Sequence, residues 1–394
     1  MEEAVIVEAR RTPIGSFGGQ LAQYSAPELG AAVFVELLKN SGIKPSDVDE
    51  VIMGNVLSAG IGQAPARQAS LKAGLSKVTP ATAVNKVCAS GMKAIMYAAN
   101  QIMTGEAEVI MAGGMESMSN VPYYLGKQRF GAKLGHDKVE DGIIKDGLWD
   151  IYNDFHMGNA AELCAKECEI SRGEQDEFAQ TSYQRAIQAS DEGLLKDEII
   201  PMKFKDRKGT TQKVDRDEEL NRVDYSKFGK LKPVFEPSGT VTAANASSIN
   251  DGAAGVIVMS RSKADDLGLV PQARIISQAS AAKRPEWFTT APAEAIPKAL
   301  ANAGLSKDDI DLFEINEAFS VVSIINNRLM ELDPEKVNIY GGAVSIGHPI
   351  GCSGARIVTT LINALGNRGA KYGCAGICNG GGGASAMVLE RTSG

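Results

Sequence analysis

The chain has 394 residues, of which 44% are hydrophobic and 23% are charged, and its formal net charge is −7. These values are typical of a globular protein with two or three domains or one large composite core, and they exclude disordered and collagen-like chains. The mildly acidic balance provides no dominant basic surface for nucleic acid or anionic lipid. The six cysteines are expected to be reduced thiols, since disulfide frameworks are typical of small secreted domains.

Neither end of the sequence resembles a targeting segment. The chain begins with the strand-like residues 4–7, and no stretch approaches eighteen uninterrupted apolar residues. We therefore expect a cytoplasmic protein without a membrane partner. A mitochondrial location is the alternative, if a transit peptide has been removed.

An internal repeat organises the predicted elements. The two copies share the segments 38–49 and 300–311 and the dipeptides Ser90-Gly91 and Ser353-Gly354, at offsets of 262 and 263 residues. In each copy the sequence predicts a helix, a strand, a long apolar helix and a strand that ends in glycines. These elements lie at residues 29–40, 50–55, 92–102 and 109–114 in the first copy and at 295–302, 312–315, 355–365 and 375–381 in the second.

Alternating short apolar strands and helices predict an α/β fold, with a mixed sheet covered by helices in two pseudo-symmetric halves. Residues 1–117 together with 249–270 are assigned to the N-terminal half, and residues 271–394 to the C-terminal half. Between them, residues 118–248 are rich in Tyr, Asp and Lys and are broken by Gly and Pro, with an amphipathic helix near 174–192. This segment is predicted to be an inserted loop subdomain that carries specificity, although an insertion without a role is the alternative.

Two residues at matching places of the repeat could act together. Cys88 lies between a β-branched run and a long apolar helix, where the unpaired amides of a helix N-terminus favour a thiolate. A cysteine that only packs is the alternative. His348 lies in a glycine-rich loop opposite Cys88, where an imidazole could activate the thiol, and a structural histidine is the alternative.

Two strand ends of the second copy carry further polar groups. Cys378 is followed by four glycines, whose backbone N–H groups are free to face an oxyanion, and a flexible turn is the alternative. Asn316 ends another strand, where its amide could also cap the next helix. His156 could line a pocket from the insertion. Cys164 and Cys168 lie one helical turn apart, but without a second ligand pair no metal site is expected.

Together these motifs resemble those of the thiolases. The likeness rests on Arg11-Thr-Pro-Ile-Gly, Gln63-Ala-Pro-Ala-Arg-Gln, Asn85-Lys-Val-Cys, Asn316-Glu-Ala-Phe, Gly347-His-Pro and Cys378-Asn-Gly-Gly-Gly-Gly, which run almost from end to end. Within the family, the chain looks most similar to the acetoacetyl-CoA thiolases. The resemblance implies a thiolase-like fold, with the two halves arranged in a layered core.

The resemblance implies an acetyl-CoA C-acetyltransferase that reversibly condenses two acetyl-CoA molecules to acetoacetyl-CoA and coenzyme A, by a ping-pong mechanism. Cys88 would hold the acetyl group with His348 as its base, and Cys378 would take a proton from the second acetyl-CoA. Nε2 of His348, with a water held by Asn316, would bind the enolate oxygen. The backbone N–H groups of Cys88 and Gly380 would bind the tetrahedral intermediate. No cofactor is required for this chemistry, since coenzyme A is substrate and product.

The resemblance also implies binding residues and an assembly. The pocket and coenzyme positions are Leu148, His156, Met157, Tyr183, Arg222, Val223, Asp224, Lys227, Ser247, Phe288, Ala318 and Phe319. A potassium ion is implied at Tyr183, Ala243, Ala244, Ala246 and Val344. The family forms dimers and commonly tetramers, and residues 121–142 resemble its tetramer-forming loop.

Three alternative functions share parts of this pattern. A degradative 3-ketoacyl-CoA thiolase of broader chain length has the same reacting residues. A catalytically silent, thiolase-like lipid-binding protein would have no need of two thiols. A condensing enzyme similar to ketosynthases or to hydroxymethylglutaryl-CoA synthase would lack the second cysteine, so Cys378 is the residue that separates the thiolases from these enzymes.

Overall fold

The structure is a computed structural model that describes residues 2–206 and 208–392. In this part of the chain the strands are β1 (Ala4–Arg11), β2 (Gly15–Ser16), β3 (Glu50–Gly54), β4 (Ala81–Val84), β5 (Val109–Ser117), β6 (Tyr123–Leu125), β7 (Val139–Asp141), β8 (Trp149–Asp150), β9 (Phe155–His156), β10 (Met202–Lys205), β11 (Thr211–Val214), β12 (Asn250–Ser260), β13 (Ala273–Ala282), β14 (Leu312–Ile315), β15 (Tyr372–Asn379) and β16 (Gly383–Arg391). The α-helices are α1 (Ala26–Ser41), α2 (Pro65–Lys72), α3 (Ser90–Thr104), α4 (Met157–Glu167), α5 (Arg172–Asp191), α6 (Arg261–Asp266), α7 (Pro292–Ala303), α8 (Ser320–Met330), α9 (Ala343–Ile346) and α10 (Ile350–Arg368). None of these helices is both long enough and apolar enough to cross a membrane.

The repeated helices end where the sequence predicts. α1 stops at Gly42 and α7 stops at Gly304, and both glycines have a positive φ, of 72° and 69°. This left-handed conformation strongly favours glycine, because it brings a Cβ atom too close to the following carbonyl. The matching caps turn both chains towards the strand that follows, β3 in the first copy and β14 in the second.

Ten strands form one mixed sheet, in the order β14-β15-β16-β13-β1-β12-β5-β3-β4, with β2 paired to β12. The order repeats about its middle, because β1-β12-β5-β3 on one side corresponds to β13-β16-β15-β14 on the other. β3 pairs with β5 in parallel, and β14 pairs with β15 in parallel. The pairings nearer the middle of the sheet, β5-β12, β12-β1, β13-β16 and β16-β15, are antiparallel. The predicted α/β fold with two pseudo-symmetric halves is confirmed, and the halves are joined edge to edge where β1 pairs with β13.

The sheet is buried on both faces. In β5, Ile110 and Ala112 face a core shared with α3 and α10, whereas their neighbours Val109 and Met111 face α1. This follows from the two-residue period of a strand, which sends successive side chains to opposite faces. In the C-terminal half α7 covers the outer face, packing against β16. Helices α1 and α7 therefore cover the outer face of the sheet, and α3 and α10 pack against its inner face.

Residues between β5 and β12 leave the sheet and form the predicted insertion. They carry α4, α5 and three two-stranded sheets, β6-β7, β8-β9 and β10-β11. The helix predicted near 174–192 is α5, which Ser171 and Glu174 begin with a capping box. The division of the chain at residues 117, 248 and 270 remains a prediction.

The central helices α3 and α10 cross at their first turns with almost no space between their backbones. A Cβ atom on Gly91 would lie 2.8 Å from the backbone nitrogen of Ala355, and one on Gly354 would lie 2.5 Å from that of Met92. These are the glycines that the internal repeat pairs. Since Cys88 and His348 come immediately before these two helices, the crossing brings both loops to one place.

Gly354→Ala is therefore expected to lower the free energy of unfolding by roughly 1–3 kcal/mol, because its methyl group would overlap the backbone of α3. Gly366→Ala is the matched control, since it lies in the same helix and nothing lies within 4 Å of its Cβ position. The control is expected to gain up to about 1 kcal/mol. Urea unfolding followed by circular dichroism measures both variants, and equal effects would contradict the close crossing.

Candidate active site

A tight turn presents Cys88 at the N-terminus of α3. Val87, the residue before it, has a φ of 48°, which is uncommon for a β-branched side chain. The hydroxyl of Ser90 stabilises this turn by donating to the Val87 carbonyl (2.6 Å) and accepting from the Lys86 N–H (2.8 Å). Such strain persists only where the surroundings hold it, and it is frequent at functional sites.

The ionisation state of Cys88 differs from the sequence-based prediction. Burial raises the pKa of the Cys88 thiol to about 11, and this effect exceeds the opposite effect of the backbone N–H groups of Gly380 and of Cys88 itself. The backbone N–H groups thus favour the thiolate as the sequence predicts, but burial outweighs them and the free site holds a neutral thiol. The two N–H groups nevertheless point at the sulfur, so the predicted oxyanion donors lie beside it.

His348 is held as a neutral imidazole with one free nitrogen. Its backbone N–H donates to Oδ1 of Asn250 (2.8 Å), and its Nδ1 lies 2.6 Å from the hydroxyl of Ser353. That hydroxyl donates its proton to the Pro349 carbonyl (3.0 Å), so Nδ1 of His348 must be the donor to Ser353 and Nε2 carries the lone pair. Burial and the charge of Arg356 lower the pKa of His348 to about 3.

Asn316 and Cys378 lie at the same end of two neighbouring parallel strands. Cys378 lies near the end of β15, and Asn316 comes directly after β14, which pairs with β15 in parallel. Among the described residues neither amide atom of Asn316 has a hydrogen-bond partner, nor has Nε2 of His348, although all three atoms are buried. An unpaired buried polar group costs free energy, so these groups are suited to bind a water or a substrate oxygen.

The two thiols are close enough to influence each other. Burial raises the pKa of Cys378 well above its usual value, and a negative charge on Cys88 raises it further. The two sulfurs are therefore not ionised together, and any reaction that removes the charge of one makes the other more acidic.

A cavity of about 400 Å³ opens over Cys88, His348 and Gly380. Its wall includes seven of the predicted pocket residues, namely Leu148, His156, Met157, Ser247, Phe288, Ala318 and Phe319. Sequence reasoning missed other wall residues, among them Met118, Ile144, Val234, Phe235, Ile249 and Ile350. Most of these lie in or beside the insertion, where no periodic pattern marks which side chains turn inward.

His156 forms part of this wall as a second neutral imidazole. Its Nδ1 caps α4 by accepting the N–H of Gly158 (3.0 Å), so its proton is on Nε2. The ring stacks on Phe235 with centroids 4.8 Å apart, and burial lowers its pKa. A Cβ atom on Gly158 would lie 2.3 Å from the Phe235 ring, which explains the glycine at this position.

The predicted nucleotide-end residues lie outside the cavity. Arg222 and Lys227 are exposed, and Lys227 pairs with Asp224 at 3.1 Å. Val223 packs beside Phe228, in the same small cluster as Tyr183. Their role in binding remains a prediction.

The residues predicted to hold a cation are brought together. Tyr183, Ala244 and Val344 pack in one cluster, and Ala243 and Ala246 line the neighbouring cavity wall. No described residue donates a hydrogen bond to the four backbone carbonyls of this set. Burial, followed by Glu219, Tyr225 and Glu317, raises the pKa of Tyr183, so the phenol stays neutral and its oxygen keeps its lone pairs. Free carbonyl oxygens and a phenol are hard ligands suited to potassium.

In the described residues there is no cluster of His, Cys, Asp or Glu for a transition metal, at Cys164 and Cys168 or elsewhere.

Alkylation of Cys88 by iodoacetamide is expected to accelerate steadily between about pH 7 and pH 10, because the thiol has a pKa of about 11 and the thiolate is the reactive form. Peptide mass spectrometry quantifies the alkylated residue. A rate that is already constant above neutral pH would instead indicate a resting thiolate–imidazolium pair and would contradict this account.

Comparison with known proteins agrees with the geometry. Residues 4–262 match the family described as thiolase, N-terminal domain, and residues 269–391 match thiolase, C-terminal domain. Acetyl-CoA acetyltransferase 2 of Arabidopsis thaliana is 53% identical over 98% of this chain and 97% of its own length. The cytosolic acetyl-CoA acetyltransferase of Gibberella zeae is 51% identical, over 98% and 97% of the two chains.

Two further relatives cover nearly the whole chain. The mitochondrial acetyl-CoA acetyltransferase B of Xenopus laevis is 54% identical over 99% of this chain and 92% of its own length. The crystal structure of the Bacillus anthracis acetyl-CoA acetyltransferase superposes with a TM-score of 0.97 at 40% identity, and covers 100% of this chain and 99% of that one. On these matches the chain belongs to the thiolase family.

Proposed function

We propose that the protein is an acetyl-CoA C-acetyltransferase, which condenses two acetyl-CoA molecules to acetoacetyl-CoA and free coenzyme A. The observation that carries the proposal is the presence of two thiols, Cys88 in the cavity wall and the buried Cys378, whose pKa a charge on Cys88 raises. With them come the Asn316 amide and Nε2 of His348, which are unpaired among the described residues. The names of relatives that are 51–54% identical favour this reaction over a thiolase of broader chain length. A silent lipid-binding protein would have no use for this set.

In the first half-reaction Cys88 attacks the thioester of acetyl-CoA. Since the resting thiol is neutral, His348 accepts its proton at Nε2 as the sulfur–carbon bond forms. The N–H groups of Cys88 and Gly380 stabilise the oxyanion of the tetrahedral intermediate. Collapse of this intermediate expels coenzyme A, which takes the proton from His348, and leaves acetyl-Cys88.

In the second half-reaction the thiol proton of Cys378 passes to Nε2 of His348, and the resulting Cys378 thiolate removes a proton from the methyl group of another acetyl-CoA. An acetylated Cys88 cannot ionise, so no charge on its sulfur opposes ionisation of Cys378 during this step. The enolate oxygen accepts a hydrogen bond from the protonated Nε2 of His348 and lies against Asn316, and the enolate carbon attacks the acetyl carbon of acetyl-Cys88. The Cys88 sulfur leaves, takes the proton from His348 and completes acetoacetyl-CoA, and the same steps in reverse are thiolysis.

The cavity suits the thioester and pantetheine portion of the coenzyme, since its wall is mostly apolar and includes Cys88. Ser247 lies in this wall, with its hydroxyl donating to the Ala318 carbonyl (2.8 Å). We assign the nucleotide end to the exposed turn that carries Arg222 and Lys227, where positive charges can meet phosphates.

A potassium ion is proposed at Tyr183 and the carbonyls of Ala243, Ala244, Ala246 and Val344. Bound there, the ion would supply a fixed positive charge that holds together α5, residues 243–246 and α9, of which residues 243–246 border the cavity. The chemistry of the proposed reaction itself uses only the protein's own side chains.

The protein is further proposed to form a dimer that pairs into a tetramer. β4 is an edge strand with exposed residues, so it can pair with another copy, and the hairpin of β6 and β7 exposes Tyr123, Phe130, Leu134 and Val139. A cytoplasmic location is proposed, although relatives include both cytosolic and mitochondrial forms.

Cys378→Ala is expected to retain acetylation of Cys88 by acetyl-CoA but to lose condensation by roughly 10²–10⁴-fold, because it removes the base of the second half-reaction. Trapping of radiolabelled acetyl groups on the protein measures the first step, and an acetoacetyl-CoA assay measures the second. Cys374→Ala is the control, since Cys374 is an equally buried thiol on the same strand that packs in the core beneath α7. Cys378 packs instead in the cluster that contains the cavity-wall residues Met157 and Phe288. Unimpaired condensation by the Cys378 variant would refute the assignment of the base.

Replacement of K⁺ by Na⁺ at constant ionic strength is expected to lower the melting temperature, because an ion present at ten times its Kd stabilises the folded state by about 1.4 kcal/mol. Tyr183→Phe removes one proposed ligand and should remove most of this difference. Tyr340→Phe is the comparison, since its hydroxyl is buried without a partner among the described residues. If the wild-type melting temperature is the same in both salts, the ion site is wrong.

A further inference from the structure

Glu116 is a buried carboxylate near the end of β5 that no step of the proposed reaction uses. It accepts four hydrogen bonds. Oε1 accepts from Nδ2 of Asn55 (2.7 Å) and from the N–H of Leu57 (3.2 Å), and Oε2 accepts from the N–H groups of Val56 (3.1 Å) and Gly351 (2.9 Å). Every partner is a donor, so the geometry requires a carboxylate whose two oxygens both accept.

The four donors belong to the two halves of the molecule. Asn55, Val56 and Leu57 follow β3 in the N-terminal half, and the side chains of Val56 and Leu57 form an apolar cluster against which Cys88 packs. Gly351 belongs to the first turn of α10 in the C-terminal half, three residues after His348. A single carboxylate thus joins the wall behind the thiol to the helix turn that follows the imidazole.

The contact between Glu116 and the first turn of α10 leaves no room for an added methyl group. A Cβ atom on Gly351 would lie 2.6 Å from Oε2 of Glu116, and a Cβ atom on Gly114 would lie 2.1 Å from the Gly351 carbonyl. The start of α10 therefore rests directly on the end of β5. A glutamine at position 116 would turn an N–H₂ group towards donors on one side, which would push that side away.

We propose that Glu116 is a positioning residue for activation of the thiol. Through Gly351 it fixes the first turn of α10, and with it His348, at the distance from Cys88 that proton transfer requires. The inference rests on the proposed function, because it assigns Glu116 a part in that reaction. Its test uses acylation of Cys88 by a small ester, so failure of the acetyl-CoA reaction and failure of this inference are distinguishable.

Loss of the charge of Glu116 and loss of the position of His348 are expected to change the rate of Cys88 acylation in opposite directions. The rate therefore distinguishes an electrostatic role of Glu116 from a positioning role. The charge of Glu116 raises the pKa of Cys88, so loss of the charge alone would produce more thiolate and faster acylation. Loss of the position of His348 would slow acylation, because small misplacements of a catalytic group cost rate steeply. Burial raises the pKa of Glu116 itself to about 7, so assays at about pH 8.5 keep the carboxylate ionised.

The experiment is a double-mutant cycle in the full-length protein with 4-nitrophenyl acetate as the acyl donor. The Cys88 sulfur–carbonyl bond forms, 4-nitrophenolate leaves, and the thiol proton goes to His348. The burst of 4-nitrophenolate is measured for wild type, Glu116→Gln, His348→Ala and the double variant, with Cys88→Ala as the background. Glu116→Gln is expected to slow the burst by about tenfold to a hundredfold in the wild type but by less than about twofold when His348 is absent.

Glu198→Gln is the matched control. Glu198 is also a buried carboxylate, bound to Arg11, Thr360 and Asn363 away from the cavity, so its loss should change stability without changing the burst rate. Glu116→Asp, which keeps the charge but shortens the reach, is expected to slow the burst in a His348-dependent way and serves if the glutamine variant does not fold. An equal slowing with and without His348, an acceleration, or no change would each overturn the proposal.

Discussion

Contact between the backbones of two buried helices determines where the reacting groups lie. α3 and α10 approach so closely at Gly91 and Gly354 that either glycine leaves no room for a methyl group. Cys88 precedes one helix and His348 the other, so the packing of the core sets the separation of thiol and imidazole. Interiors packed at crystal-like density adjust little, which makes this separation a property of the whole fold rather than of two loops.

Burial opposes charge throughout the site, and the reacting groups rest in their neutral forms. Cys88 and Cys378 are held as thiols, and His348 is held as an imidazole. The Asn316 amide and Nε2 of His348 are unpaired among the described residues, which costs about 1–3 kcal/mol for each group. A bound water, or substrate groups that supply a donor to Nε2 and an acceptor to the Asn316 amide, would recover this free energy. The recovered free energy then contributes to binding or to stabilisation of the transition state.

The internal repeat made much of this architecture predictable, because matching segments imply matching helices, caps and strands. The repeat also predicts that Cys88 and His348 lie in corresponding loops, which the crossing of α3 and α10 brings together. The pKa of Cys88 could not be predicted in the same way, since it depends on how completely distant segments exclude water. Phe235 was missed because the insertion has no period, and Glu116 because its partners come from segments far apart in the chain.

The insertion supplies most of the cavity wall, yet none of the four proposed catalytic side chains lies in it. Cys88, Asn316, His348 and Cys378 all belong to the doubled sheet-and-helix core, whereas His156, Met157 and Phe235 come from the segment between β5 and β12. Mutations can therefore accumulate in the wall and alter which acyl group is admitted while the machinery for bond making stays intact. In evolutionary terms, this separation allows one ancestral core to acquire new substrates by drift and selection in a single continuous stretch of the gene.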